Sequence, residues 1–155
     1  MNEMPKTLLQ MANAPLHPSP LGQSSLVIID AQLEYVTGKL PLAGVETAIS
    51  EIEKLLALAR RESMPVFHVV HHSAPGRALF DPDGPYAAIV PPLAPVEGEQ
   101  TVVKALPNAF AGTDLQARLA ASGRREIILA GFMTHMCVSA TARAALDFGY
   151  RTSAA

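Results

Sequence analysis

Glu126-Ile127-Ile128-Leu129-Ala130-Gly131-Phe132-Met133-Thr134-His135-Met136-Cys137-Val138 is the stretch on which the fold turns. Four consecutive apolar residues, Ile127 to Ala130, suit a strand buried on both faces. A tight turn follows, and a helical pattern from 135 to 148 ends before Gly149. Cys137, the single cysteine of the chain, falls in the first turn of that helix. A thiol at a helix N-terminus feels the positive end of the macrodipole, which favours thiolate. The segment therefore reads as strand, turn and helix carrying an armed nucleophile.

The same alternation extends in both directions. Ser24-Ser25-Leu26-Val27-Ile28-Ile29-Asp30 is another continuous apolar run, closed by an acid. From Val45, apolar residues recur at Ala48, Ile49, Ile52, Leu55, Leu56 and Ala59, the spacing of one helix face. Met64-Pro65 ends that helix, and 66–70 reads as a second strand. Residues 72–99, rich in Pro and Gly, read as a lid or binding loop, or else as a segment carrying short helices, with Phe80 and Tyr86 as possible ligand contacts. Thr101 to Lys104 is a short third strand. Thr113-Asp114-Leu115-Gln116 has the pattern of a capping box, and Gly123 closes the helix it opens. Residues 151–155 begin a fifth strand. Residues 1–23 carry four prolines and no periodicity, and read as an arm ordered only by docking.

Repeated strand–helix alternation predicts a three-layer α/β/α, Rossmann-like domain over 24–155 with a central parallel sheet. Ligands of such sheets bind beyond the carboxyl ends of the strands. Asp30, Lys104 and Cys137 all fall at or just past such ends. Taken singly, a Cys is commonly an inert core residue, an Asp a cap and a Lys a solvated charge. Placed together, they make a nucleophile, a base to take its proton, and a cation to stabilise both.

Bulk properties narrow the function classes. The 155 residues suffice for one domain, and a net charge of -2 without charge runs gives no support to nucleic-acid or acidic-membrane binding. Charged residues make up 17%, against about 25% in an ordinary soluble domain, which suggests surface covered by another subunit. One cysteine forms no internal disulfide and cannot resolve a mixed disulfide, which points to a reducing, cytoplasmic setting and away from thiol transfer. The N-terminus lacks the pattern of a secretory signal, and no apolar stretch reaches membrane-spanning length.

Three segments in order carry a resemblance: Asp30-Ala31-Gln32; Val103-Lys104 with Asn108-Ala109-Phe110; and Ala130-Gly131-Phe132-Met133-Thr134-His135-Met136-Cys137-Val138. Over about residues 24–155 the chain resembles the isochorismatase-like cysteine hydrolase superfamily, which includes nicotinamidases, N-carbamoylsarcosine amidases and isochorismatases. The resemblance implies Asp30 as acid/base, Lys104 as its electrostatic partner and Cys137 as nucleophile. It implies a cis Phe132–Met133 peptide and an oxyanion hole built from the Met133 and Cys137 N–H groups. It places Gln32, Tyr35, Asn108, Phe110 and His135 around a small-molecule substrate; His71 and His72, at the end of the second strand, and Phe80, in the long loop, join them by position. Tyr35 stands where a Phe is common, Asn108 where Ser is common and His135 where Asp is common. The Asp-x-His metal motif of nicotinamidases is missing. Of the clustered histidines, His68 and His72 share one strand face while His71 points to the other, so no metal or other cofactor is expected.

The implied activity is metal-independent hydrolysis of a small amide or related C–N bond through a thioester, by a homodimer or homotetramer. Two other readings stand beside it. One is vinyl-ether hydrolysis of the isochorismatase type, which does not need the thiol. The other is a non-catalytic fragment or association module, because relatives continue for a further strand-helix-strand-helix stretch past the Gly149-Tyr150 turn. On that comparison the chain is expected to lack its C-terminal strand or strands and helix.

Overall fold

In the computed structural model, which describes residues 4–155, every residue of the first strand, Ser24–Ile29 (β1), is buried. That burial on both faces is what its unbroken apolar run requires. β1 pairs in parallel with Val66–His71 (β2) on one side and Glu126–Gly131 (β4) on the other. Gln100–Lys104 (β3) pairs with β2, and Arg151–Ala154 (β5) with β4, all parallel. The five-stranded order is β3-β2-β1-β4-β5. The chain winds outward from β1 to β3 and then returns to β1's other side, so the switch point lies between β1 and β4.

Side-chain alternation splits β1 between two cores. Leu26 and Ile28 face the helix Val45–Arg61 (α2), which buries Val45, Ile49, Ile52, Leu56 and Ala59 at alternating four- and three-residue steps. Val27 and Ile29 face Leu115–Ala121 (α3) and Ser139–Asp147 (α4) through Leu115, Leu119 and Ala145. Helices thus cover both faces, as the alternation predicts. Each fully buried Leu, Ile or Phe contributes about 1.5–3 kcal/mol by leaving water.

Two local expectations change, and the long loop gains detail. The helix predicted over 135–148 begins as a wide turn, Thr134–Val138, in which the Val138 amide donates to the Met133 carbonyl at 3.3 Å; regular α4 starts at Ser139. The capping box does not close. α3 begins one residue late, with Asp114 at its cap making no side-chain bond. Thr113 Oγ1 instead donates to the Ala109 carbonyl (2.6 Å) and accepts from the Leu115 amide (3.3 Å). The 72–99 segment carries one short helical turn, Pro91–Leu93, and is tied to the domain by main-chain bonds. Leu33 and Glu34 amides donate to the Ala88 and Tyr86 carbonyls, Val90 donates to Ala31, and Gln32 bridges Ile89.

The arm packs against the β5 edge: the Ser19 amide donates to Ser153 Oγ at 2.9 Å, and Arg151 donates to the His17 carbonyl. A four-residue helix, Leu8–Met11 (α1), lies within it. The arm's first three residues lie outside the described residues. No described helix is long and apolar enough to cross a membrane.

Gly131 ends β4 at φ 126°, and a Cβ there would stand 2.0 Å from the Ile29 carbonyl oxygen. Only glycine lets β4 close onto β1 at this point. Gly131→Ala is expected to cost about 3 kcal/mol or more, read as a drop in urea midpoint.

A second staple joins β2, α2 and the 91–99 segment. Glu99 accepts from Arg60 Nε (2.7 Å), pairs with His68 Nε2 (2.8 Å) and accepts from the Val96 amide (3.1 Å). Burial alone would raise the Glu99 carboxyl, but these donors outweigh it and hold its pKa at about 2, below the ordinary 4.5. The depressed value means the stabilisation is complete above the unfolded pKa and is lost as pH falls towards 2. The urea-midpoint gap between the native chain and Glu99→Gln should therefore be widest above pH 4.5 and narrow at pH 3.

Candidate active site

Asp30 follows β1 directly and takes the left-handed conformation, φ 52°, a region that Asp tolerates better than most residues. Its amide still donates to the Val69 carbonyl at 2.8 Å, so the residue is anchored to β2 while the chain turns away. The carboxylate is completely buried. Oδ2 lies 2.8 Å from Lys104 Nζ as an ion pair, and neither carboxylate oxygen has a partner in hydrogen-bond geometry among the described residues.

Lys104 ends β3 and is 1% exposed. Its ammonium donates to Cys137 Sγ at 3.4 Å and lies 3.1 Å from His71 Nδ1. Cys137, 7% exposed, is carried into this cluster by the wide turn after β4. The Phe132–Met133 peptide before that turn is cis, and the Met133 amide makes no hydrogen bond among the described residues. The three residues that the sequence places at strand ends thus converge on one ammonium.

The electrostatics correct the dipole argument. Burial pushes the Cys137 thiol above its ordinary range, Asp30 beside it pushes in the same direction, and Lys104 pulls down without prevailing. Burial likewise raises Asp30 against the opposing pull of Lys104. Burial and the Asp30 charge therefore favour the neutral thiol over a standing thiolate, and burial favours proton uptake by Asp30.

The surrounding residues divide. His71 ends β2, touches Lys104 and is held neutral: burial first, then the charges of Lys104 and His72, push it down to about 4. Tyr35 is buried against Phe80 and Phe132, at ring-centroid separations of 5.3 and 5.9 Å. Its hydroxyl is raised by burial and then by the Asp30, Cys137 and Glu34 charges, which puts it within their field. His72 is half-buried, and its amide donates to the Lys104 carbonyl at 2.9 Å.

Several expected ligand contacts face elsewhere. Gln32 is wholly buried; Nε2 donates to the His71 and Ala87 carbonyls (3.0 and 2.7 Å), and Oε1 accepts from the His71 amide (2.8 Å). Its amide is spent on backbone, because the strand end it meets carries unpaired main-chain groups. Phe80 and Phe110 are each 8% exposed and belong to the two cores; Phe80 stays at the site as the ring behind Tyr35 and His71, whereas Phe110 lies tilted against Phe148 at 5.0 Å. Asn108 Oδ1 accepts from the Phe110 amide at 2.9 Å, a local turn. His135 is exposed on the outside of the wide turn.

Two supporting residues escape sequence reasoning. Glu34, 2% exposed, accepts from the Lys39 and Phe80 amides at 2.7 and 3.0 Å and so ties the long loop down. Thr141, fully buried one helical turn after Cys137, accepts from the Ala109 amide at 3.0 Å. The only sequence signal for either is a polar residue inside an apolar neighbourhood. His68 pairs with Glu99, away from His71, and no group of three or more metal-ligating side chains occurs among the described residues. Beside His71 an open cleft of about 510 Å³ is lined by His71, His72, Ser73, Arg77, Leu79 and Ala105 among others, with no acidic residue.

Comparison with known proteins agrees with this architecture. Residues 24–154 match the isochorismatase domain model. A secreted isochorismatase effector of Verticillium dahliae is 41% identical over 90% of this chain and 74% of its own length. Maleamate amidohydrolase of Pseudomonas putida is 33% identical over 83% of this chain and 68% of its own. Among solved structures, an isochorismatase from Pseudomonas putida superposes with a TM-score of 0.90 at 41% identity, covering 97% of this chain and 77% of that one. N-carbamoylsarcosine amidase from Thermoplasma acidophilum superposes at 0.81 with 25% identity, covering 85% and 78%. The chain belongs to the isochorismatase family of hydrolases.

Proposed function

We propose that the chain hydrolyses a small amide or related C–N bond through a Cys137 thioester, without a metal. The observation that carries this reading is one ammonium, Lys104 Nζ, 2.8 Å from Asp30 and 3.4 Å from Cys137. Cys137 passes its proton to Asp30 as Sγ attacks the carbonyl carbon. The amides of Met133 and Cys137 receive the oxyanion. Asp30 then returns the proton to the departing nitrogen, and the C–N bond breaks to leave a thioester. Water, deprotonated by Asp30, cleaves the thioester to acid and free thiol. Lys104 offsets negative charge throughout.

The names of the Pseudomonas amidohydrolase and the Thermoplasma amidase specify C–N substrates, which supports this reading over vinyl-ether hydrolysis. The cleft is joined to the reactive cluster through His71 and is not lined by Cys137 itself; its Arg77 supports a substrate whose carboxylate lies there while its scissile bond reaches Cys137. We also propose a homo-oligomer, supported by half-exposed Val103 and Leu106 along and just past edge strand β3. A cytoplasmic setting is supported by the unpaired cysteine, although the Verticillium relative is described as secreted.

Ammonia release from a panel of small amides should be faster for carboxylate-bearing members than for neutral isosteres. It should fall by about 10³-fold or more in Cys137→Ala. Undiminished turnover in that variant, or pyruvate release from isochorismate without ammonia from any amide, would remove the thioester reading. Because Asp30 raises the thiol, Asp30→Asn should lower the pH midpoint of Cys137 alkylation by iodoacetamide while abolishing turnover. A midpoint that rises instead would show that Asp30 does not face the thiol.

A further inference from the structure

The strand order sets a problem that the triad alone does not explain. Lys104 ends β3, Asp30 follows β1, and β2 lies between them. Two strand spacings amount to about 9–10 Å, so the lysine must lie across the end of β2 to reach its partner. The residue it crosses is His71, its register partner on β2.

At that crossing His71 Nδ1 stands 3.1 Å from Nζ. An ammonium carries three N–H bonds, and three groups surround this one: the ion-paired Asp30 Oδ2, and His71 Nδ1 and Cys137 Sγ in hydrogen-bond contact. His71 is itself immobilised from two sides. Gln32 binds both its backbone amide and its carbonyl, and Phe80 packs edge-on against its ring at a centroid separation of 5.1 Å. A side chain as flexible as lysine, held at 1% exposure, thus meets a fixed acceptor at its ammonium tip.

We infer that His71 is a positioning residue, which accepts a hydrogen bond from Lys104 at Nδ1 and so aims the ammonium at Asp30 and Cys137, with Gln32 as the clamp that fixes its backbone. The inference rests on the proposed roles of Asp30, Lys104 and Cys137. In this arrangement His71 carries its proton on Nε2 and transfers no proton in the chemical step. Its effect on the thiol passes through Lys104.

The native chain tests the inference without any substitution. Imidazole nitrogen-15 shifts at pH 7 should show His71 with Nε2 protonated and Nδ1 bare; a protonated Nδ1 would overturn the proposal, since it leaves nothing to accept from Lys104. Because Cys137 is the sole cysteine, iodoacetamide alkylation reports on that thiol alone. His71→Phe keeps a ring against Phe80 and removes the acceptor. It should raise the alkylation midpoint by about one pH unit. His71→Asn, whose Oδ1 can stand near the Nδ1 position, should return the midpoint to within a few tenths of a unit. Lys104→Met should raise it at least as far as His71→Phe. A shift in Lys104→Met with none in His71→Phe would sink the positioning role and leave the triad standing. No shift in Lys104→Met would overturn the triad reading and this inference with it.

Discussion

The buried pair of Lys104 and Asp30 is the constraint around which the structure is arranged. Taking an ammonium and a carboxylate out of water costs several kcal/mol for each ion, and close pairing offsets this only when geometry and further hydrogen bonds are good. Here the pair sits at 2.8 Å with both side chains essentially inaccessible. Its surroundings can be read as the conditions for holding it. Asp30 is turned into place by a left-handed backbone while its amide stays bonded to β2. Gly131 allows β4 to close against β1, which brings the wide turn and its thiol over the pair. Gln32 and Glu34 consume their polar atoms on the main chain that walls the site. Two residues that resemble ligand contacts or surface charges in the sequence are thus parts of the frame.

The same burial decides the resting protonation. A helix N-terminus contributes only a fraction of a unit charge, and its influence fades within one turn. Desolvation together with a carboxylate neighbour outweighs it at Cys137. A raised thiol next to a raised carboxylate favours activation on demand, in which the proton moves as the substrate arrives and displaces water. This differs from a site that stores thiolate, because a permanently ionised, accessible cysteine is open to oxidants and electrophiles.

Much of the architecture was legible because burial writes itself into composition. Unbroken runs at 24–29 and 126–130 could satisfy their apolar faces only inside a parallel sheet. The four- and three-residue spacing from Val45 to Ala59 could only be a helix face. Asp30, Lys104 and Cys137 stood out because each ends or follows such a run. Less was legible where a polar side chain chooses between solvent, ligand and backbone. Gln32, Asn108 and Thr113 all carry groups that suit any of the three, and the outcome depends on which main-chain groups lie within about 3 Å in the folded state.

By itself the sequence determined the alternation of strands and helices, the placement of three reactive groups at strand ends and the family to which the chain belongs, because these follow from local periodicity and short motifs. Tertiary structure alone decided that β2 would lie between β3 and β1, and with it that Lys104 must pass His71 to reach Asp30. It also decided that the thiol would be raised rather than lowered. Both outcomes depend on strand order and desolvation, which arise from contacts between segments far apart in the chain and leave no trace in the spacing of any one of them.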